Sequence, residues 1–450
     1  MLTTHSKILL RKTSQGRRQR LLKARFRRLL LQYLLPWSGA VVVGLVAVWY
    51  ARWSTDAYQM FIRAIAGRPW LAFVITPALT ILAVSLTRKW FGGSEGSGIP
   101  QVIAALQAPQ DRALISRLFG FRVIVGKIMV SLIGLLGGLT IGREGPTVHL
   151  GAAIMNELQR FYPHRTPQLE RQLLLAGAAA GLSAAFNTPL AGIIFAIEEL
   201  ARDFNSNLNS TVIITVIFSG LTSLALAGDY LYFGQLNVPQ SFHLAFVQPV
   251  IVAAILSGLL GAAFNWTLLN RTVWMPKILQ AWRMNSPLRY ALVIGLAIAT
   301  LGTVTSNATW GSGYDQARAL LDGTQTLSQT YPLTKWASLV ISYMAGIPGG
   351  LFSPSLSIGA GLAQWVHTIF VWAPLPALIA LCMTGYLSAV TQSPITSFVI
   401  VLEMTNGSNM VIPMMASALV ASRISAIFTP PLYHALAHNN YFSKPGRLSV

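Results

Sequence analysis

Cysteine is nearly absent, Cys382 being the only one in 450 residues. A disulfide within the chain and a multi-cysteine metal site are both excluded. The 7 histidines are scattered, with no HExxH-like pair, so the sequence implies neither structural zinc nor any other cofactor. Charge is scarce as well, at 10% of residues, against roughly 25% in a soluble globular chain. Hydrophobic residues reach 53%. These shortages exclude a soluble globular domain and put the chain in a bilayer.

What fills the sequence is a series of apolar runs, several of them long enough to cross about 30 Å of hydrocarbon and the rest further candidates. They are Leu34 to Tyr50, Leu71 to Thr87, Val123 to Ile141, Val250 to Leu268, Tyr290 to Val304, Ala377 to Leu402 and Val411 to Phe428. The first lacks a small-residue cleavage site and many spans follow it, so it reads as a retained helix rather than a secretory signal. Gly, Pro, Ser and Thr interrupt several runs, as suits helices that pack on one another or line a cavity. The expected class is an all-α membrane protein of the transporter or channel type.

Lys and Arg number 33 against 13 Asp and Glu, a formal charge of +20. Such an excess first suggests nucleic acid, yet no aromatic-interleaved basic surface accompanies it. Much of it lies in one arm, where Lys7, Arg11, Lys12, Arg17, Arg18, Arg20, Lys23, Arg25, Arg27 and Arg28 precede the first span with no acid among them. Residues 1–32 therefore read as a cytoplasmic arm that orients the chain and touches anionic membrane lipid.

Two stretches align with each other. LSAAFNTPLAGIIFAIEE, Leu182 to Glu199, matches LSAVTQSPITSFVIVLEM, Leu387 to Met404, at an offset of 205 residues. Upstream, GREGPTVHLGA from Gly142 aligns with GLFSPSLSIGA from Gly350 at an offset of 208. A repeat of this size predicts two membrane halves, residues 33–235 and 236–433, related by a pseudo-two-fold axis with the site between them, and a short tail at 434–450.

The duplicated motifs have a direct physical reading. Glycine lets backbone approach a ligand, and proline suits the first turn of a helix. GREGP and GGLFSP should each open a helix, and two helix N-termini meeting near the midplane would hold an anion without a full cation. A third turn, GSEGSGIPQ at Gly93 to Gln101, offers the same chemistry and the Ser97 hydroxyl.

The repeat also breaks informatively. Glu144 stands where the second half has Phe352, and Glu199 where it has Met404, whereas Glu198 and Glu403 match. Matched glutamates suit a shared structural task, such as fixing a helix end. Unmatched ionisable groups within a membrane are functional candidates. A carboxylate at an anion-binding helix terminus can occupy the anion site when ionised and vacate it when protonated. Glu144 is thus a candidate gate and proton carrier. Glu199, beside Arg202 and Asp203, is expected near water, feeding protons inward.

Together and in this order, GSGIP (Gly96, Ser97, Gly98, Ile99, Pro100), GREGP (Gly142, Arg143, Glu144, Gly145, Pro146) and GGLFSP (Gly349, Gly350, Leu351, Phe352, Ser353, Pro354) resemble the three filter signatures of the ClC family of chloride channels and chloride/proton antiporters. The resemblance covers nearly the whole membrane region and implies two inverted repeats of tilted, partly broken transmembrane helices. It also implies a homodimer with one pore per subunit, and chloride and protons as the transported ions. By the same resemblance Ser97, Tyr433 and the N–H groups of Leu351 and Phe352 bind chloride. Glu144 becomes the external gating glutamate, Glu199 the internal proton glutamate, and Lys127 the buried lysine that biases the pathway toward anions. Serine at position 97 resembles the chloride-type filter rather than those preferring nitrate or fluoride.

Only Tyr433 to Val450 follow the membrane region, so the regulatory nucleotide-binding repeats of many eukaryotic relatives are not expected, nor is control by a cytoplasmic ligand. This short form resembles the bacterial voltage-gated branch, which implies a multi-pass inner-membrane protein with both termini cytoplasmic. A carboxylate at position 199 favours exchange. The alternative is a voltage-gated passive chloride channel acting as an electrical shunt, for example in acid resistance. Two remoter readings are an intramembrane enzyme and a nucleic-acid-binding adaptor. The GxSxG spacing at Gly92 to Gly96 lacks the preceding strand of a nucleophile elbow, which argues against the enzyme.

Overall fold

The structure is a computed structural model. It describes Phe26, Leu31 and residues 34–163, 166–202, 210–228, 231–238 and 244–443. The basic arm, Asp203 and the end of the tail lie outside the described residues.

The first half runs α1 (Leu35–Ile65), α2 (Ala72–Lys89), α3 (Ile99–Gln107), α4 (Arg112–Phe119), α5 (Phe121–Leu136), α6 (Glu144–Glu157), α7 (Pro167–Phe186), α8 (Pro189–Phe195) and α9 (Ser210–Ala227). The second runs α10 (Val247–Leu269), α11 (Lys277–Asn285), α12 (Pro287–Val304), α13 (Tyr314–Leu321), α14 (Tyr331–Met344), α15 (Phe352–Ile369), α16 (Leu375–Thr391), α17 (Pro394–Thr405), α18 (Val411–Phe428) and α19 (Leu432–Ala437). Among the described residues there is no strand, and 7 helical segments are long and apolar enough to cross a membrane. At 31 residues, α1 is about 46 Å long. That exceeds the hydrocarbon core and calls for tilt or overhang.

Contacts repeat between the halves. In the first, α6 packs on α7, α7 on α9 and α9 on α1; in the second, α15 packs on α16, α16 on α18 and α18 on α10. The halves meet where α2 lies on α12 and α8 on α17. Close packing within each half relies on a matched glycine. A Cβ on Gly151 would strike the Gly177 carbonyl, and one on Gly359 would lie 2.6 Å from the Cys382 carbonyl oxygen. Small residues at such crossings let helix backbones touch.

The apolar run Ala377 to Leu402 is two helices rather than one. It breaks at Gln392, φ 57°, just as the first half breaks at Asn187, φ 58°. Each break turns the chain through a left-handed residue and restarts it at a proline, Pro189 or Pro394. Neither α8, with 7 residues, nor α17, with 12, can span the hydrocarbon. Their ends therefore fall within the depth of a hydrocarbon layer, where the freed N–H groups need partners from the protein.

Candidate functional site

The three glycine motifs converge through their backbones. Gly142 and Gly350 exchange N–H to carbonyl hydrogen bonds of 2.8 and 2.7 Å. Gly96 donates to the Ile347 carbonyl at 3.0 Å and accepts from Gly349 at 3.1 Å. These pairings bind the turn before α3 and the turn before α6 to the turn before α15. Ile99 and Pro100 open α3, Pro146 sits in the first turn of α6, and Pro354 in that of α15. A Cβ on Gly145 would collide with Ser97 Oγ and come within 3.3 Å of Gly350 Cα, so only glycine admits this meeting.

Ser97 is 1% exposed, and its Oγ has no hydrogen-bond partner among the described residues. Tyr433, fully buried on α19, lies beside it. The Tyr433 ring also stacks on Phe352 with centroids 6.1 Å apart. The first turn of α15, which Leu351 caps, supplies N–H groups without intrahelical acceptors.

Glu144 opens α6 and is completely buried. Its Oε1 accepts from Ser353 Oγ at 2.5 Å and from the Tyr232 hydroxyl at 3.2 Å, and its Oε2 accepts from the Ser353 N–H at 3.4 Å. The carboxylate therefore lies at the N-terminus of α15, where a helix attracts an anion. Arg143 Nε is 4.0 Å from Oε1, and its guanidinium lies over the Tyr232 ring and donates to the Ala51 carbonyl at 2.8 Å.

Two cavities reach neighbours of Glu144, which itself lines neither. One, lined by Glu95, Gly96 and Ser97, ends on the serine. The other is lined by Ser54, Gly313 and Asp315 and by Arg143 and Tyr232, which contact the glutamate.

Glu199 lies in a single wide turn, Ala196–Leu200, after α8. The expectation of a place near water is not met, because the residue is 1% exposed. The chain folds α19 and the Gln392 break over it. Ser393 Oγ donates a short hydrogen bond to Oε2, Oε1 has no partner among the described residues, and His434 Nε2 is 2.9 Å from the Glu199 carbonyl oxygen. Arg202, 3.9 Å from Oε2 and 27% exposed, links the carboxylate to the surface. His434 directly follows Tyr433, so Glu199 borders the same helix as the Ser97 site.

Lys127 is also fully buried, and its ammonium is spent on backbone. It donates to the carbonyls of Ser94 at 2.8 Å and Gly96 at 3.0 Å, holding the turn that presents Ser97. Sequence reading missed its image. Lys335, equally buried, donates to the carbonyls of Thr309, Trp310 and Gly311 at 3.0, 3.2 and 2.9 Å. Those carbonyls lead into Gly311, Ser312 and Gly313, a second GSG turn, whose glycines have φ 61° and 80° against 65° and 97° at Gly96 and Gly98. The signal was present at an offset of 208 for the lysines and 215 for the GSG turns. Tyr232 was missed for another reason, since it lies in an irregular segment with no motif around it.

A family model described as voltage gated chloride channel matches residues 79–426. The chain belongs to that family. It is 30% identical over 384 residues to the H(+)/Cl(-) exchange transporter ClcA of Klebsiella pneumoniae strain 342, covering 81% of this chain and 78% of the relative. It is likewise 30% identical over 382 residues to the H(+)/Cl(-) exchange transporter ClcA of Salmonella arizonae, with 81% and 78% covered. Among solved structures, a slow cyanobacterial Cl-/H+ antiporter superposes with TM-score 0.76 at 21% identity, over 91% of this chain and 97% of that one. A CLC-type fluoride/proton antiporter superposes with TM-score 0.72 at 22% identity, over 88% and 95%. These two likenesses establish the ClC fold, an all-α membrane architecture.

Proposed function

We propose that the chain is a chloride/proton antiporter in which Glu144 is both the gate and a proton carrier. The observation that carries this reading is the Glu144 carboxylate, fully buried and bonded to the Ser353 N–H and hydroxyl at the start of α15. An ionised carboxylate there occupies a position suited to an anion; protonation weakens its hold and lets chloride take the position. Chloride would be held by the Ser97 and Tyr433 hydroxyls and the N–H groups of Leu351 and Phe352, a cage of dipoles that releases as readily as it binds. Lys127 keeps the filter turn in shape and adds positive potential. Glu199 supplies protons from the other side, connected to the surface through Arg202.

The proposed setting is a bacterial inner membrane, with the N-terminus cytoplasmic by the basic-arm rule. Tyr162 donates to the Leu31 carbonyl just before α1, on the side where α4 and the Ser97 cavity lie, so that cavity would face the cytoplasm. A homodimer with one pore per subunit is also proposed. Leu190, Ile197 and Ile395 leave apolar surface exposed beside the short helices α8 and α17, which a second copy or lipid would cover. An enzymatic reading has no support in the family, whose relatives here are named exchange transporters.

Reconstitution into liposomes tests the proposal. An imposed chloride gradient should drive protons uphill in the opposite direction. Chloride flux without proton movement, in both gradient directions, would make the chain a passive channel instead.

A further inference from the structure

Glu95 is the one acid lining the cavity that ends on Ser97, and the transport cycle above gives it no part. It breaks the repeat as Glu144 and Glu199 do, because the residue before the second GSG turn is Trp310, which is fully buried. Its backbone is fixed: the Glu95 carbonyl accepts from Gln101 Nε2 at 2.6 Å and from Lys127 Nζ at 3.5 Å. Its side chain takes one hydrogen bond among the described residues, from the Gly93 N–H to Oε2 at 2.6 Å. The carboxylate forms no ion pair among those residues. Arg117 from α4, Arg271 from the short turn before α11, Arg283 from α11, Tyr343 from α14 and Tyr441 after α19 share the cavity with it, and Lys127 stands behind the turn.

The bond to Gly93 does not call for a carboxylate, since an amide oxygen would accept it as well. What the amide would lack is the charge. Residues 95 and 97 are two positions apart, which limits the separation of their backbones to roughly 7 Å. An anion that reaches Ser97 through this cavity therefore comes close to a full negative charge. Coulomb terms add, so Glu95 raises the energy of that anion whatever the neighbouring cations contribute. A transport site must release its ion as well as take it. We propose that Glu95 is an electrostatic brake on chloride, a residue whose charge lowers the affinity of the Ser97 site. The inference deepens the transport reading and rests on Ser97 as a chloride ligand.

The test titrates the purified full chain with chloride by calorimetry, at neutral pH and at constant ionic strength set with gluconate. Glu95→Gln keeps an acceptor for the Gly93 N–H and removes the charge, so chloride should bind about fivefold more tightly. Glu95→Ser, a second neutral variant, should shift the affinity in the same direction and serves if the first does not fold. Glu95→Asp keeps the charge and should stay within about twofold of the parent chain. A residue that only held the turn would give the reverse order, with Glu95→Gln like the parent and the shorter aspartate weakened. The proposal is overturned if the folded neutral variants bind chloride no more tightly than the parent. Ser97→Ala separates this inference from the reading beneath it. Unchanged chloride affinity in Ser97→Ala would misplace the anion site and take the brake with it, whereas a loss there with no gain in the neutral variants would overturn the brake alone.

Discussion

Glu198 and Glu403 are images of each other, and each caps the helix that begins in the other's half. Glu198 accepts from the N–H groups of Ile395 and Thr396 at 3.0 and 2.6 Å, and Glu403 from those of Leu190 and Ala191 at 3.1 and 2.7 Å. Reciprocal bonds of this kind need α8 and α17 to run antiparallel about a two-fold axis between them. The same axis that inverts the halves is therefore stabilised by charge against helix N-termini.

Symmetry makes the first prediction. Glu198→Ala and Glu403→Ala should each destabilise the protein by about 1–3 kcal/mol, the worth of a charged cap with two N–H partners. Thermal unfolding in detergent reads the loss, and the two variants should be close to equal. A silent variant on either side would show that the cap does not hold that helix.

How much of this was legible depended on whether a feature repeats. The Glu198 and Glu403 pair and the helix-opening motifs follow from aligning the halves, because symmetry forces matched residues into matched tasks, whereas Glu144 stands out there because its match with Phe352 is broken. Lys335 was hidden because its surroundings diverged: the GSEGSG of the first half has TWGSG as its counterpart in the second, at an offset of 215 rather than 208. Tyr232 was illegible because it reaches Glu144 from a segment without periodicity, and a hydrogen bond between residues 88 positions apart leaves no local trace. The Ala377 to Leu402 run misled in a different way. Hydropathy does not register a single left-handed residue, so Gln392 read as continuous helix. Glu199 read as near water because Arg202 follows it, although packing by α19 and Ser393 closes it off.

Tyr232 donates to the gate, so Tyr232→Phe should weaken the hold on an ionised Glu144. A hydrogen bond to a charged group is worth about 1.5–3 kcal/mol. Chloride competing with the carboxylate should then bind about tenfold more tightly, a change of 1.4 kcal/mol, measured by isothermal titration. Unchanged affinity would mean that Ser353 alone holds the carboxylate.

The two lysines should part company on substitution. Both Lys127→Met and Lys335→Met remove a charge that three backbone carbonyls share, so both should lower the unfolding temperature. Only Lys127 braces the turn that carries Ser97. Lys127→Met should therefore also weaken chloride binding, while Lys335→Met leaves it within about twofold, less than 0.5 kcal/mol. Equal losses of chloride affinity would make the second GSG turn part of the anion path.

The two unmatched glutamates separate the gate from the proton supply. Glu144→Gln keeps the shape of the side chain but removes the charge that competes with chloride, so proton movement should stop while chloride flux continues. Glu199→Gln should also stop protons, because a carboxamide cannot relay them, yet the ionisable Glu144 remains at the N-terminus of α15 and still gates. Chloride flux in Glu199→Gln should thus keep its dependence on pH, whereas Glu144→Gln should lose it. The sign follows from the gate: acid protonates Glu144 and frees the site, so flux in Glu199→Gln rises as pH falls. Proton counter-transport retained in both variants would remove these residues from the proton route and leave the filter without its carrier.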